Sequence, residues 1–219
     1  MSKTVIIGQG SQLIQLIREL FSLEYTPNNL KILTIDGDFN LSCLEFIKYY
    51  NIDYWITDKS QVNFLLSSII EQDNVDLVIS FSNPFILSKD ILLKGPKFIN
   101  FHPGILPYYK GSLSTINSLI NGEEFVGGTW HYINEGIDTG NIIKVFKIPT
   151  KNFNAFALNH KIFSLGVFYL KDILESVNLG YKGYPQEKTG KFYYNKFPDV
   201  STLESNLQQR ILYFPPKFV

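Results

Sequence analysis

The sequence predicts an α/β fold: a mostly parallel sheet with helices on both faces, plus a small hairpin-like C-terminal extension. Three observations carry that prediction. Short β-branched and aromatic runs alternate with amphipathic segments at helical spacing over the first hundred residues. The strand candidates show almost no polar alternation, as expected of strands covered on both faces. Beyond Gly180 the composition shifts to crowded aromatics without helical period.

Taken in order, Lys3–Ile7 is a β-branched run and the first strand, closed by the turn Gly8-Gln-Gly10-Ser11. Leu13, Ile14, Leu16, Ile17, Leu20 and Phe21 recur at helical spacing. Lys31–Ile35 is the second strand, Leu41–Tyr50 a helix, Tyr54–Thr57 a short third strand and Val62–Ile70 another helix. Val75–Phe81 is the fourth strand, opening into Ser82-Asn83-Pro84. Phe98–Phe101 is apolar enough for a buried strand, and Pro103-Gly104 ends it abruptly. Ile105–Gly111 reads as a loop and Ser112–Asn121 as a helix with Ser112 as N-cap. Val126–Ile133 is a strand with Thr129, His131 and Ile133 on one face, and Asn141–Pro149 is the next. Asn154–Val177 carries a wide apolar stripe and predicts one long core helix. After it, Lys188–Lys191 suggests a hairpin turn. The expected domains are therefore 1–178 and an extension at 179–219.

Composition narrows the classes. Lys+Arg and Asp+Glu each total 20, so the net charge is zero, which argues against a nucleic-acid partner. Cys43, the single cysteine, sits in an apolar helix, so no intrachain disulfide is expected. The apolar run in the first residues is too short for a signal peptide, and no apolar run reaches the ~18 residues of a membrane span. A cytoplasmic protein without a membrane partner or a metal is expected. Gly8-x-Gly10 hints at a dinucleotide turn with Asp36 as its ribose acid. The third glycine of that fingerprint falls on Leu13, so the glycines serve a tight turn instead.

The stretch that looks chemical is Phe98–Ile143. Asn100 and His102 are two apart, hence on one side of a strand, at the carboxyl end where α/β sheets place ligands. Asp138 lies in a Gly-flanked turn. A bare D-T-G also occurs in aspartic proteases, but those pair two such motifs and here there is one.

The segments INFHPGILPYYKG and GTWHYINEGIDTGNII resemble the signature of the N10-formyltetrahydrofolate-dependent formyltransferases, and the Rossmann-like order of the preceding elements agrees. The resemblance places the family's catalytic Asn, His and Asp on Asn100, His102 and Asp138, with Thr129 and His131 behind them. It implies N10-formyltetrahydrofolate as co-substrate, received by Ser80, Phe81, Asn83, Phe85, Ile86 and Ile137. Gly10, Lys110, Trp130 and Tyr193 are the implied substrate-binding residues.

Within the family, Lys110-Gly-Ser-Leu-Ser-Thr115 and the aromatic tail are most similar to the sugar-nucleotide N-formyltransferases. They imply a dTDP-4-amino-4,6-dideoxyhexose acceptor for surface polysaccharide synthesis, and a homodimer through the extension. The departures are Trp130, where smaller aliphatics are commoner, and Ser114, at a position often held by Pro. A glycinamide ribonucleotide formyltransferase is the alternative enzyme, and a silent nucleotide- or folate-binding module the alternative from another class. The full set of Asn100, His102 and Asp138 argues against the silent module, which has no physical need for all three.

Overall fold

A computed structural model describes residues 3–187, 190–193 and 196–212. It divides into two compact units: the described parts of Met1–Phe101 with Tyr132–Gly136, and of His102–His131 with Ile137–Val219.

The first unit holds β1 (Lys3–Gly8), α1 (Gly10–Ser22), β2 (Leu30–Thr34), α2 (Leu41–Tyr49), β3 (Asp53–Ile56), α3 (Val62–Asp73), β4 (Val75–Phe81), α4 (Lys89–Leu92) and β5, which starts at Lys97 and runs on to His102. The strands lie parallel in the order β3-β2-β1-β4-β5. Strand order reverses between β1 and β4, a switch point of the kind beside which open α/β sheets bind ligands. Val5, Ile6 and Ile7 are all fully buried, so β1 is covered on both faces. Val5 and Ile7 pack with Leu66, Ile69 and Ile70 of α3. On α1 the buried stripe is Leu13, Leu16, Ile17 and Leu20. That helix has no side-chain cap. Its buried stripe, at ~1.5–3 kcal/mol per side chain, holds it far more strongly than the ~1 kcal/mol a cap contributes.

Gly8 is required by close approach, because a Cβ there would lie 2.2 Å from the Phe81 carbonyl oxygen. Gly10 is required by its positive φ of 68°. The two glycines thus make the turn, as the incomplete fingerprint suggested.

The second unit holds β6 (Tyr109–Gly111), α5 (Ser114–Ile120), β7 (Phe125–Tyr132, whose last residue groups with the first unit), β8 (Ile142–Pro149), α6 (Ala155–Phe168), α7 (Leu170–Asn178), β9 (Lys191–Tyr193) and α8 (Ser205–Leu212). β7 and β8 pair antiparallel, with a bulge between Trp130 and His131.

Three expectations need correction here. The helix over 154–177 is two helices, broken at Tyr169. The Trp130 indole N–H donates to the Gly166 carbonyl at 2.9 Å, the acceptor that residue 170 would use in a continuous helix. Ser112 does not cap α5, which starts at Ser114. The Ser112 N–H donates instead to the Tyr193 carbonyl at 3.0 Å. The described part of the extension forms no hairpin of its own: β9 pairs in parallel with β6, Gly111 opposite Tyr193. Lys188 and Thr189 of the expected turn lie outside the described residues. The extension also docks through α8, where the Arg210 guanidinium donates to the carbonyls of Thr150 (2.7 Å) and Phe153 (3.0 Å).

Candidate active site

His102 is the last residue of β5 and only 4% exposed. Its Nδ1 lies 3.3 Å from Asp138 Oδ2. Its Nε2 lies 2.5 Å from the Tyr109 carbonyl oxygen and 3.2 Å from Ser114 Oγ. Asp138 Oδ2 also accepts the Gly111 N–H at 2.8 Å, and Oδ1 faces His131 Nε2 at 3.5 Å. The carboxylate is thus shared among two imidazoles and a backbone amide. The intervening loop is latched to β7 by Thr129, whose hydroxyl donates to the Gly104 carbonyl (2.7 Å) and accepts the Leu106 N–H (3.1 Å).

A carbonyl oxygen beside Nε2 only accepts, so the ring's resting proton is on Nε2. Nδ1 then faces the carboxylate, where a second proton would be shared with Asp138. Burial pushes His102 below its ordinary value, and the nearby His131 adds to it. The Asp138 charge and the Tyr109 carbonyl pull the other way without overcoming burial. For Asp138 burial works upward, but the charge His102 takes on in acid, the His131 bond and charge and the Gly111 N–H outweigh it. They hold the carboxyl well below the usual carboxylate range. The pair is therefore a neutral imidazole and an anion near neutral pH, which suits a proton acceptor whose protonated form meets a ready counter-charge.

In the first unit, Ser80 and Asn100 are register partners on β4 and β5. The Ser80 hydroxyl donates to Asn100 Oδ1 at 2.6 Å, which fixes the amide with its oxygen toward Ser80. Asn83 Nδ2 donates in turn to Ser80 Oγ at 3.1 Å and to the Phe85 carbonyl, while its Oδ1 accepts the Phe85 N–H at 2.8 Å.

A model of the formyl transferase family matches residues 43–155, more than half of the chain. The chain belongs to the formyl transferase family. Among curated relatives of this family, the GDP-perosamine N-formyltransferase of Brucella melitensis is 27% identical over 126 residues, 54% of this chain and 49% of the relative. The methionyl-tRNA formyltransferase of Clostridioides difficile is 35% identical over 114 residues, 51% and 37% of the respective chains. The chain thus spans half or less of the length of these relatives. Two solved structures share the fold. One is the N-formyltransferase from Helicobacter canadensis in complex with folinic acid and dTDP-3-aminofucose (TM-score 0.77, 24% identity, 91% of this chain and 73% of that one). The other is glycinamide ribonucleotide transformylase 1 from Symbiobacterium toebii (TM-score 0.72, 18% identity, 85% and 94%).

Against the formyl transferase signature, the structure brings His102, Asp138 and His131 together and orients Asn100 through Ser80. Four of the other expected site residues have their side chain or amide engaged elsewhere. Ser80 is buried and bonded to Asn100, so it orients that amide rather than lining a wall. Phe81 is fully buried and stacks on Phe101, so its ring belongs to the core of the unit and not to an exposed wall. Gly10 donates its N–H to Asn40 Oδ1 at 2.7 Å, so that amide does not cradle an anion. Trp130 is fully buried and bonded to Gly166, so its faces meet core and not a nucleobase. Ile86 and Ile137 are exposed apolar side chains, Phe85 is partly buried against the core of its unit, and Lys110 is half-buried on β6. Tyr193 stacks one ring face on Tyr109 and accepts from Asn121 Nδ2 at 2.9 Å.

Sequence reasoning missed Ser114, the Tyr109 carbonyl and the Gly111 N–H as partners of the pair. Ser114 stood out only as a departure from the family pattern, and a backbone group carries no residue signature. Among the described residues, no three His, Cys, Asp or Glu side chains gather to hold a metal. No helix among them is long and apolar enough to cross a membrane.

Proposed function

We propose that this chain transfers a formyl group from N10-formyltetrahydrofolate to the amino group of a nucleotide-linked amino-dideoxy sugar. The observation that carries the reading is the Asp138 carboxylate held between His102 Nδ1 and the Gly111 N–H. It gives a neutral imidazole an anion to lean on when it takes a proton.

The folate supplies the formyl carbon on N10. The segment after β4 fits such a flat donor: the Asn83–Phe85 turn is tied by two hydrogen bonds and leaves Ile86 as exposed apolar surface. Asn100 is the amide assigned to donate to the developing oxyanion, a contribution typically worth ~3 kcal/mol of barrier. The proton that the attacking amine sheds passes to the His102–Asp138 pair, which shares it between Nδ1 and the carboxylate, and it returns to N10 of the folate as the N10–formyl bond breaks. Lys110, adjacent to Gly111, is the cation for the sugar's pyrophosphate.

The finer reading takes dTDP-4-amino-4,6-dideoxyglucose as the acceptor, in the cytoplasm, for surface polysaccharide. It also keeps the homodimer through the extension, where Leu179, Tyr181, Tyr184 and Phe192 are exposed. Support comes from the Lys110–Thr115 segment, the aromatic tail and the likeness in fold to a sugar enzyme. The test is kcat/KM for tetrahydrofolate release with that sugar nucleotide against glycinamide ribonucleotide, with Asp138→Asn as the control expected to lose about 100-fold or more. Equal or faster turnover of the ribonucleotide defeats the sugar reading in favour of the purine enzyme. A monomeric mass by sedimentation equilibrium defeats the dimer.

A further inference from the structure

Asp138 sits at φ 52°, a left-handed conformation that a residue with a Cβ holds only when its surroundings fix it. The extension supplies part of those surroundings. Gln186 Nε2 donates to the Asp138 carbonyl at 3.0 Å and to the Gly140 carbonyl at 2.7 Å, bridging the two ends of the turn. The segment that carries Gln186 is itself fastened alongside. Ile142 and Tyr184 exchange both backbone hydrogen bonds (2.9 and 3.0 Å), and Asn141 Nδ2 donates to the Lys182 carbonyl at 2.9 Å. Gly183 passes so close that a Cβ would lie 2.6 Å from the Ile142 carbonyl oxygen. Gln186 Oε1 is buried without a hydrogen-bond partner in the described structure, so the two N–H bonds are what keep this amide in place.

We propose that Gln186 is a positioning residue for the active site: it clamps the 138–140 turn so that the Asp138 carboxylate stays on His102. The proposal rests on the formyl-transfer reading for its kinetic consequence, but the clamp itself stands on geometry alone. A Glu at 186 keeps the shape and, when ionised, has no N–H to donate. A Leu keeps much of the volume and has no polar group at all. In both, the turn loses its bridge and the carboxylate is free to leave Nδ1.

The experiment measures two things on Gln186→Leu and Gln186→Glu: steady-state kinetics, and the titration of His102 by NMR without substrate. The chain has three histidines, and the missing resonance in His102→Gln assigns the one of interest. The expected result is a kcat at least tenfold lower, KM values within about twofold of wild type, and a His102 titration moved further toward acid as its anionic partner is lost. A His102 titration that stays in place in both variants overturns the clamp, whatever the kinetics show. So does a kcat within twofold of wild type in both. If Gln186→Leu fails to fold, Gln186→Glu alone decides. If wild type shows no formyl transfer yet the titration moves in the variants, the clamp stands and the formyl-transfer reading falls.

Discussion

Gly104→Ala adds one methyl group to the most crowded point of the site. A Cβ there would lie 2.5 Å from His102 Nε2, 2.7 Å from the Tyr109 carbonyl oxygen and 2.8 Å from Ser114 Cβ. Ordinary contacts of this kind begin near ~3.4 Å, so the three neighbours must each yield by roughly 0.6–0.9 Å. None gives way easily. His102 and Ser114 are buried, and the carbonyl is backbone on β6. The Gly104 carbonyl is also tied to Thr129, so the glycine cannot back away without losing that bond. Overpacking of this size typically costs 1–3 kcal/mol of stability. Because the ring is what must move, the Nε2–Tyr109 bond opens and Nδ1 leaves Asp138. A misplacement near 1 Å costs on the order of 100-fold in rate. The prediction is a kcat about 100-fold down with KM little changed, and a denaturant midpoint lowered in step with 1–3 kcal/mol. Tetrahydrofolate release and urea unfolding read the two. Turnover within threefold of wild type in a folded Gly104→Ala protein would refute the claim that His102 works from this position.

The depressed titrations of His102 and Asp138 make stability fall with acid in two stages. Below the ordinary histidine value of 6.5 the unfolded chain takes up a proton that buried His102 resists, so stability declines as pH falls through that window. Below the ordinary carboxyl value of 3.8 the contribution of ionised Asp138 is lost in turn. In His102→Gln the upper stage should vanish. Parallel stability curves for variant and wild type between pH 7.5 and 5 would contradict the assignment. For Trp130→Phe we expect a loss of about 1–3 kcal/mol, from the Gly166 carbonyl losing its donor, with KM for the sugar nucleotide unchanged. A tenfold rise in that KM with the fold intact would restore Trp130 to the substrate site.

What could be seen in the sequence follows a physical division. The first unit was legible nearly to the residue because each parallel strand buried on both faces must be a continuous apolar run. Lys3–Ile7 and Val75–Phe81 show it without help from neighbours. The long helix was misread because periodicity reports only which face is apolar. The break at Tyr169 coincides with the Trp130 indole, 36 residues before Gly166, taking that residue's carbonyl inside the ladder. The pairing of β9 with β6 joins residues some eighty positions apart through backbone groups, which no local pattern encodes. The site divides the same way. The side chains proposed to carry the chemistry, Asn100, His102 and Asp138, stand out because their types are unusual at a strand end and in a turn. Their partners do not. The Tyr109 carbonyl, the Gly111 N–H and the Ser114 hydroxyl acquire meaning only once β6 has been laid against His102 and Asp138. Since β6 is braced by β9, and the Asp138 turn by Gln186, two of the supports come from the aromatic extension that looked in sequence like an appendage. The proposed chemistry is therefore written in the middle of the chain, and the geometry of those residues is set in part from the end.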